Sequence, residues 1–537
     1  MSSELDVLLN KLWQMGVTSI CFCAGARNLS LARALQEDAR FQLHPFFDER
    51  SASFFAMGQC VALGRPCLVI TTSGTAVAEC LPAVIEAFYQ RLPLIIWSAD
   101  RPSSFRWTGA PQSMDQSGLL ESHCEMVLDF PSLNFEVLVE QLQVWKLQGP
   151  LHLNTAFLDP LRASTTILAG SNPSLQHRLQ HSCESLFSKH QGGLELQDPL
   201  VVCGPMDGLE SQRAKEFLLG LDCLFYPELL SGLKADGDLK EKELFSWPDF
   251  SRKDQPVLRL GGVPTHSAWR DLEAEDRRVV SISSKAWPGM ARGSEVFPWE
   301  TASHLCCFQS DEEKQRQRQV SEIHLEKVRL EIQADPWGEK SQIRELLECF
   351  PKAGAWYWGN SLPVRYADEV FTLGPRSQGL RFWGHRGMNG IDGQVSGFLG
   401  WAMGLSDVDE VVGVLGDLTA LADLVGLWPL SPRNRWREQT ESQSSRLGLP
   451  KKIRLVVLNN QGGQIFSRWN SPLLMNSHRI DFSSWASLFQ WGFWQGRAQE
   501  LREAKLSNFE LIELQIPAQG LGEQKKAKSF GGSLSHG

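Results

Sequence analysis

The fold is decided by two stretches, Val411-Val-Gly-Val-Leu-Gly-Asp417 and Ile453-Arg-Leu-Val-Val-Leu-Asn459-Asn460. Each is a run of apolar, mostly β-branched residues that stops at Gly, Asp or Asn. Continuous apolar runs of this length are typical of strands that are buried on both faces of a parallel sheet. We therefore predict an α/β protein in which both strands deliver polar side chains to the same carboxyl edge of one sheet.

The polar residues at these two strand ends have the chemistry of a cation and phosphate site. Asp417 and Asn460 offer hard oxygen donors, and Gly416 and Gly462 allow backbone to come close to a ligand. A helix beginning after Gly416-Asp417 would offer its amino end to a phosphate. Magnesium with a diphosphate is the predicted occupant. The alternative, two ordinary core strands ending in turn residues, explains either half alone better than it explains both.

A second group of candidate residues lies near the amino terminus. In His44-Pro-Phe-Phe-Asp-Glu-Arg50 an apolar, strand-like stretch ends in the acidic pair Asp48-Glu49, and a helical pattern follows over Ser51–Leu63. Taken alone, this pair also fits a solvated helix start, where acids favour the positive end of the helix dipole. From these residues alone, a catalytic acid and a solvated helix start both remain possible interpretations of Asp48-Glu49.

Further motifs occur in a fixed order along the chain. They are Ala24-Gly-Ala-Arg27, Phe47-Asp-Glu-Arg50, Thr72-Ser-Gly-Thr-Ala76, Ala99-Asp-Arg-Pro102, Gly149-Pro-Leu-His-Leu-Asn154, Gly359-Asn-Ser-Leu-Pro-Val-Arg365, Arg386-Gly-Met-Asn-Gly-Ile-Asp-Gly393 and Gly463-Gln-Ile-Phe466. With the Asp417 and Asn460 motifs, this series is similar to the 2-succinyl-5-enolpyruvyl-6-hydroxy-3-cyclohexene-1-carboxylate synthase family. Its members are thiamine diphosphate enzymes of menaquinone or phylloquinone biosynthesis. The third residue of the family's GDG signature is Leu418 here, and the polar insertion Ser431–Lys452 lengthens the gap to its NN signature.

The resemblance implies roles for individual residues in binding the cofactor. Glu49 would be the catalytic residue, because a carboxyl group beside the aminopyrimidine ring can share a proton with N1′. Asp417, Asn460 and the backbone of Gly462 would hold Mg²⁺, or Mn²⁺ in its place. The full cofactor-binding set is Glu49, Ser73, Gly74, Thr75, Ile391, Gly416, Asp417, Leu418, Asn460, Gly462, Gln464, Ile465 and Phe466.

The same resemblance implies a transferase that decarboxylates 2-oxoglutarate and joins the remaining carbons to isochorismate. Forked guanidinium groups suit the carboxylates of both substrates. The expected substrate-binding residues are Arg27, Gln112, Asn360, Arg365, Arg386, Ile465 and Phe466. For any single arginine the alternative is a surface ion pair. Three departures from the family pattern, at Ala24, Ala26 and His266-Ser267, lie on the side expected for isochorismate.

Alternating strand and helix patterns indicate three α/β units. We expect a pyrimidine-binding domain over residues 1–185, a central structural domain over 186–335, and a diphosphate and magnesium domain over 336–537. No G-x-G-x-x-G pattern follows Leu200–Gly204, so we do not expect FAD in the central domain. The resemblance further implies that each cofactor lies between two subunits, and hence a homodimer or a homotetramer.

Composition fits a cytoplasmic enzyme of this kind. The net charge is −9, which argues against nucleic acid as a partner. The 12 cysteines show neither CxxC pairs nor zinc spacing, and they fit reduced thiols. The sequence predicts neither export nor stable membrane insertion, because it shows neither a signal peptide nor a run of about 20 apolar residues.

Two competing hypotheses remain from the sequence. One is a thiamine diphosphate-dependent 2-oxoacid decarboxylase, or a carboligase that uses another acceptor. The other is a non-catalytic relative kept as a binding protein. Loss of Glu49, Asp417 or Asn460 would indicate the second hypothesis, and all three residues are present.

Overall fold

Three large parallel sheets, flanked by helices, form the framework of the protein. The computed structural model describes residues 2–130, 135–157, 187–188, 193–234, 236–266, 269, 277–289, 293–374, 379–436, 450–469 and 471–517. The predicted α/β class with parallel sheets is confirmed.

The first sheet has six strands in the order β2-β1-β3-β4-β6-β5. The strands are β1 (Ser19–Cys23), β2 (Gln42–Phe46), β3 (Cys67–Thr71), β4 (Leu94–Asp100), β5 (Met126–Phe130) and β6 (Leu151–Ala156). The helices around it are α1 (Ser2–Gln14), α2 (Leu29–Gln36), α3 (Glu49–Leu63), α4 (Thr75–Glu79), α5 (Leu81–Gln90) and α6 (Phe135–Leu142). Strands β3, β4 and β6 are buried along their whole length, as expected for the middle of a parallel sheet.

The second sheet has the order β12-β11-β10-β8-β9, and a separate parallel pair joins β7 to β13. The strands are β7 (Leu194–Gln197), β8 (Leu200–Cys203), β9 (Phe225–Pro227), β10 (Val257–Leu260), β11 (Val279–Ile282), β12 (Glu295–Phe297) and β13 (Leu305–Phe308). Helix α7 (Gly208–Gly220) packs here, and α8 (Asp311–Ala334) leads out of this region.

The third sheet has the order β15-β14-β16-β17-β19-β18. The strands are β14 (Ala355–Trp358), β15 (Arg381–Trp383), β16 (Glu410–Gly416), β17 (Lys452–Asn459), β18 (Gly492–Gly496) and β19 (Phe509–Gln515). The helices are α9 (Glu339–Cys349), α10 (Leu362–Val370), α11 (Gln394–Gly404), α12 (Asp417–Leu421), α13 (Pro472–Met475) and α14 (Ser483–Phe489). The two apolar runs that end at Asp417 and Asn460 form β16 and β17, which pair with each other in parallel.

Some predicted elements differ in their bounds. The helix predicted over Ser51–Leu63 begins two residues earlier, at Glu49, because Asp48 caps it. The sequence also predicts one helix over Gly74–Tyr89, and the structure divides it at Cys80 into α4 and α5, with Pro82 in the first turn of α5. The polar sequence over Ala163–Asp198 predicts a linker, and most of it lies outside the described residues. The centre of the Ser431–Lys452 insertion and the residues after 517 also lie outside them.

The first and third sheets are brought together by α3 and α11, which pack at very short range. A Cβ atom on Gly58 of α3 would lie 2.2 Å from the carbonyl oxygen of Gly397, and one on Gly400 of α11 would lie 2.0 Å from the carbonyl oxygen of Phe55. Glycine at these positions lets the two backbones touch. Each large sheet falls inside one of the three expected units, while the domain boundaries themselves stay a prediction. Within the described residues, no helix combines the length and apolarity that a membrane crossing requires.

Candidate active site

Three neighbouring strands of the third sheet end at the same edge, and each is followed by a candidate site residue. Strand β14 pairs with β16, and β16 pairs with β17, all in parallel. Asn360 follows β14, Asp417 follows β16, and Asn460 follows β17. Ligand sites in open α/β sheets form at this carboxyl edge. The structure therefore brings together the residues that the sequence analysis assigned to the metal and to the cofactor diphosphate.

The carboxylate of Asp417 is the centre of this group. Its Oδ2 accepts a hydrogen bond from the backbone N–H of Gly462 at 2.9 Å, and its Oδ1 accepts one from the N–H of Leu418 at 2.7 Å. Nε2 of His478 lies 3.2 Å from Oδ2. Burial raises the pKa of Asp417, while these hydrogen bonds act in the opposite direction. The carboxylate is thus oriented by backbone before any ligand binds.

Asn460 presents a free oxygen to the same place. Its Nδ2 donates a hydrogen bond to Oε1 of Glu339, while its Oδ1 is buried and has no hydrogen-bond partner in the described chain. A buried, unpartnered amide oxygen beside a carboxylate fits a hard divalent cation, because Mg²⁺ prefers oxygen ligands. The donor set of Asp417 and Asn460 therefore suits the metal that the family resemblance implies.

The turn after β17 completes this group. Gly462 has a φ of +131°, which favours glycine, and its carbonyl accepts from the N–H of Gln464 at 2.8 Å. The side chain of Gln464 bonds back to the carbonyl of Asn460 at 3.2 Å. Ile465 and Phe466 follow in the same short helical segment, so the whole predicted motif lies at the sheet edge. The predicted helix after Gly416 is present, but α12 is only five residues long.

Glu339 and His478 also belong to this group, although neither was predicted from the sequence. Glu339 is the first residue of α9. Burial raises its pKa to about 7; the charge of Asp417 adds to this change, and the hydrogen bond from Asn460 opposes it. Glu339 lies far from Asn460 in the chain and belongs to no recognised motif, so its position could not be found from spacing. His478 comes from the loop after α13, which folds back so that its N–H bonds to the carbonyl of Gln461 at 3.2 Å.

A second group of predicted residues lies at the edge of the first sheet. A Cβ atom on Gly25 would lie 2.3 Å from Oγ1 of Thr72, so the turn that carries Arg27 packs against the Thr72–Thr75 turn. Gly74 has a φ of +83° and contacts Gln112, whose Cα lies 3.1 Å from the position of a Cβ on Gly74. Ser73 is buried and Thr75 is exposed. The turns that carry Arg27, Ser73–Gly74 and Gln112 therefore lie next to one another at this sheet edge.

Glu49 begins α3 beside this group. The neighbouring acid, Asp48, is the helix cap, since its side chain accepts a hydrogen bond from the N–H of Ser51 at 2.8 Å. Glu49 is left half-buried, and burial, together with the charges of Asp48 and Glu79, raises its pKa. A solvated helix start does not need a second, partly buried acid. A carboxyl group with a raised pKa is suited to hold or share a proton.

Arg386 is the centre of a third group, near the predicted substrate side. Its Nη1 donates to Oδ1 of Asn360 at 3.0 Å, and Asn360 also donates to the carbonyls of His385 and Gly390. Burial, with the nearby charge of Arg365, lowers the pKa of Arg386 to about 10, whereas Glu228 and Glu86 oppose that change. Both polar atoms of the Asn360 side chain are therefore hydrogen-bonded, and its oxygen holds the guanidinium of Arg386 in place. Arg365 is exposed on α10.

The departure from the family pattern in the central unit also lies near Arg386. Glu228 is buried, and its Oε1 accepts from the N–H and the hydroxyl of Thr265 and from the N–H of His266. Its Oε2 has no hydrogen-bond partner in the described residues, and burial raises its pKa to about 7. The ring of His266 stacks on Trp247 at 4.4 Å. Ser267 lies outside the described residues.

Among the described residues, no hydrogen bond or ion pair joins Glu49 directly to Asp417. Their surroundings do meet within one chain, since Arg50 donates to the carbonyl of Ala422 at 2.9 Å and the hydroxyl of Ser51 donates to Asp423 at 3.3 Å. Ile391, one of the residues expected to bind the cofactor, is 42% exposed.

Glu49 at the start of α3, together with Asp417 and Asn460 at the edge of the third sheet, is the combination expected of the class of thiamine diphosphate enzymes. Residues 5–119 match the family described as thiamine pyrophosphate enzyme, N-terminal TPP binding domain. Over 94% of both chains, the protein is 33% identical to the 2-succinyl-5-enolpyruvyl-6-hydroxy-3-cyclohexene-1-carboxylate synthase of Bdellovibrio bacteriovorus. It therefore belongs to this synthase family, and it is a thiamine diphosphate-dependent transferase.

A second relative supports the same family, and a solved structure supports the fold. The synthase of the same name from Akkermansia muciniphila is 32% identical over 92% of this chain and 91% of that protein. The crystal structure of benzoylformate decarboxylase from Polynucleobacter necessarius covers 96% of this chain and 99% of its own, with a TM-score of 0.64 and 13% identity. The structural likeness at this low identity bears on the fold alone.

Proposed function

We propose that the protein decarboxylates 2-oxoglutarate and adds the remaining four-carbon unit to isochorismate. The product would be 2-succinyl-5-enolpyruvyl-6-hydroxy-3-cyclohexene-1-carboxylate, an intermediate of menaquinone biosynthesis. The observation that carries this proposal is that Asp417 and Asn460, whose side-chain oxygen is unpartnered, lie at the ends of neighbouring strands in a chain that belongs to this synthase family.

Different residues would bind the two ends of the cofactor, its diphosphate and its pyrimidine ring. When bound, thiamine diphosphate supplies a carbon nucleophile and an acceptor for the electron pair released by decarboxylation. Asp417, Asn460 and the backbone of Gly462 would hold Mg²⁺ or Mn²⁺, which anchors the diphosphate. Glu49 would hold the proton that it shares with N1′ of the pyrimidine ring, and its raised pKa suits this role.

Other side chains would bind the substrates. Arg386 and Arg365 act on one another electrostatically, so together they form a cationic surface suited to carboxylates. Arg27 and Gln112 would contact substrate from the edge of the first sheet. Ile391, Ile465 and Phe466 would form the apolar wall that excludes water and so favours the loss of a charged carboxylate.

We further propose the assembly in which this site works. Two copies would form a homodimer, or two dimers a homotetramer, in the cytoplasm, with Glu49 of one copy facing Asp417 and Asn460 of the other. The domains would be the predicted ones, with pyrimidine binding over 1–185, the structural unit over 186–335 and diphosphate binding over 336–537.

The runner-up is a 2-oxoacid decarboxylase, or a carboligase with another acceptor. One experiment distinguishes it from the proposed reaction. The protein, loaded with thiamine diphosphate and Mg²⁺, is given 2-oxoglutarate with and without isochorismate, and the products are identified by mass. We expect a product whose mass is the sum of both acids less one CO₂. Release of succinic semialdehyde alone, with isochorismate left unchanged, would exclude the proposed acceptor.

A further inference from the structure

The side chain of Asn460 has two chemically different ends, and only its oxygen can bind a cation. Oδ1 carries lone pairs, whereas Nδ2 carries two hydrogens. Nδ2 donates to Oε1 of Glu339, and Oδ1 is left buried without a partner in the described residues. The hydrogen bond to Glu339 therefore leaves the cation-binding atom of Asn460 available.

We propose that Glu339 is a positioning residue that fixes this orientation of Asn460 for the divalent cation. The inference rests on the proposed function, since it takes Asp417 and Asn460 as the cation ligands. In the observed contact Oε1 of Glu339 accepts the hydrogen bond and Nδ2 of Asn460 donates it. If the amide of Asn460 turned over, two oxygens would face each other across the Glu339 contact, and an NH₂ group would face the cation. The contact with Glu339 therefore favours the observed orientation, which is also the one that leaves Oδ1 available to a cation.

The position of Glu339 gives this contact its rigidity. Glu339 is the first residue of α9, and Gly338 before it makes no side-chain cap. The helix is fixed elsewhere by Gln342, whose Oε1 accepts from the N–H of Ala498 at 2.8 Å, and by Ser341, whose hydroxyl donates to the carbonyl of Asp335 at 2.6 Å. A residue on a packed helix thus reaches across to a residue at a strand end. Such supporting contacts to metal ligands typically contribute about 10-fold to 100-fold in metal affinity.

The alternative role for Glu339 is that of an acid at the positive end of a helix dipole. That role would stabilise α9 but would not depend on Asn460, and any acid in the first turn could perform it. Metal affinity separates the two roles, because a purely helical role would change the folding stability and leave cation binding unaltered.

The test measures Mn²⁺ binding to the full-length protein with thiamine diphosphate present. Free Mn²⁺ is followed by its electron paramagnetic resonance signal, so the readout is independent of activity. We expect Glu339→Ala to weaken Mn²⁺ binding by about 10-fold to 100-fold. Glu339→Gln should stay within about threefold of wild type, because its amide oxygen still accepts from Asn460. Glu339→Lys can only donate, so it should weaken binding at least as much as the alanine variant.

The matched control is Glu345→Ala. Glu345 lies on the same helix and pairs with Arg344 and Arg502, away from Asn460. This variant should bind Mn²⁺ with wild-type affinity. Thermal unfolding of each variant without metal reports its folding separately, and the glutamine and lysine variants carry the test if the alanine variant does not fold.

Two results would overturn the inference. Wild-type Mn²⁺ affinity in the alanine and lysine variants would show that Asn460 needs no partner, and equal losses in the alanine and glutamine variants would make the charge of Glu339, rather than its acceptor oxygen, the important property. Asp417→Ala distinguishes failure of the inference from failure of the site. If Asp417→Ala also binds Mn²⁺ normally, the cation lies elsewhere and the proposed metal site itself is wrong.

Discussion

Asp48 and Glu49 are neighbours at the start of α3, yet only Asp48 caps the helix. We therefore expect Glu49→Gln to keep the fold and diphosphate binding but to slow hydrogen–deuterium exchange at C2 of bound thiamine diphosphate by about 10²-fold or more. The matched control is Asp48→Asn, since asparagine caps helices as well as aspartate does. The exchange rate is measured by quenching samples in acid and recording the C2 proton by NMR.

The pair of variants makes this test specific to one carboxyl group. Wild-type exchange in Glu49→Gln would remove Glu49 from the proposed proton relay. Equal slowing in both variants would mean that exchange depends on the local charge or on the start of α3, and not on Glu49 itself.

Arg386 offers a second test at the residue scale. Its guanidinium is held by Asn360 in a setting where burial lowers its pKa, so a carboxylate bound there would be desolvated. Arg386→Ala should lower kcat/KM by about 30-fold or more, equivalent to about 2 kcal/mol, and mainly through one of the two substrates. The control, Arg381→Ala, removes an exposed partner of Asp407 and should change kcat/KM less than about threefold.

Steady-state kinetics with each substrate varied in turn checks this prediction. A small loss that is equal for 2-oxoglutarate and isochorismate would make Arg386 a structural residue. The choice of acceptor would then depend on family membership without support from this side chain.

At the scale of elements, the contact between α3 and α11 joins the first and third sheets. Because a Cβ on Gly58 would meet the carbonyl oxygen of Gly397, which is backbone and cannot rotate away, Gly58→Ala should lower the free energy of unfolding by about 1–3 kcal/mol. Gly220→Ala is the control, since a Cβ there would meet nothing within 4 Å. It should change stability by less than about 1 kcal/mol. Urea unfolding measures both, and equal effects would show that the helices are not in tight contact.

The same interface contains a buried acid that should make stability depend on pH. Asp423 accepts from the N–H and hydroxyl of Ser396 and from the hydroxyl of Ser51. Burial raises its pKa to about 6, with Ser396 and Arg50 acting against the change and Asp48 adding to it. The pKa in the unfolded chain is about 3.9. The folded form therefore holds the proton more tightly, and this contribution to stability is complete below about pH 4 and lost as pH rises through about 6.

Asp423→Asn removes the titration and keeps an acceptor oxygen. Between about pH 4 and 6, the stability of the wild type should fall relative to this variant by at most about 3 kcal/mol, as expected for a shift of about two pKa units. Urea unfolding at pH 4.5, 5.5 and 6.5 measures the difference, and comparing the two proteins removes the effect of other titrating groups. Parallel pH profiles would show that Asp423 has an ordinary pKa in the folded protein.

At the scale of the whole molecule, the sequence predicted the fold where local chemistry determines it. The apolar runs of β16 and β17 identified a parallel sheet and the edge at which Asp417 and Asn460 meet, because strand periodicity and terminal polar residues are local features. The break at Cys80 was missed although Pro82 gave a usable signal. Glu339 and Glu228 could not be found, since their contacts with Asn460 and Thr265 join elements that become neighbours only on folding.

At this scale we expect each complete site to combine Glu49 of one copy with Asp417 and Asn460 of another. Within one chain, no hydrogen bond or ion pair joins Glu49 to Asp417 among the described residues. If sites form between copies, a mixed dimer of Glu49→Gln and Asp417→Ala subunits has one site with both changes and one with neither. If each site forms within a single chain, every site in the mixed dimer carries one change.

The most direct measurement is the activity of that mixed dimer, co-expressed with two different tags and purified through both. Each variant alone should be inactive, since one lacks the proton relay and the other lacks the cation ligand. The mixed dimer should recover about half of the wild-type activity per dimer, because one of its two sites is intact. An inactive mixed dimer that is correctly folded and assembled would contradict the account, and would place Glu49 and Asp417 in the same-chain site or in different sites altogether.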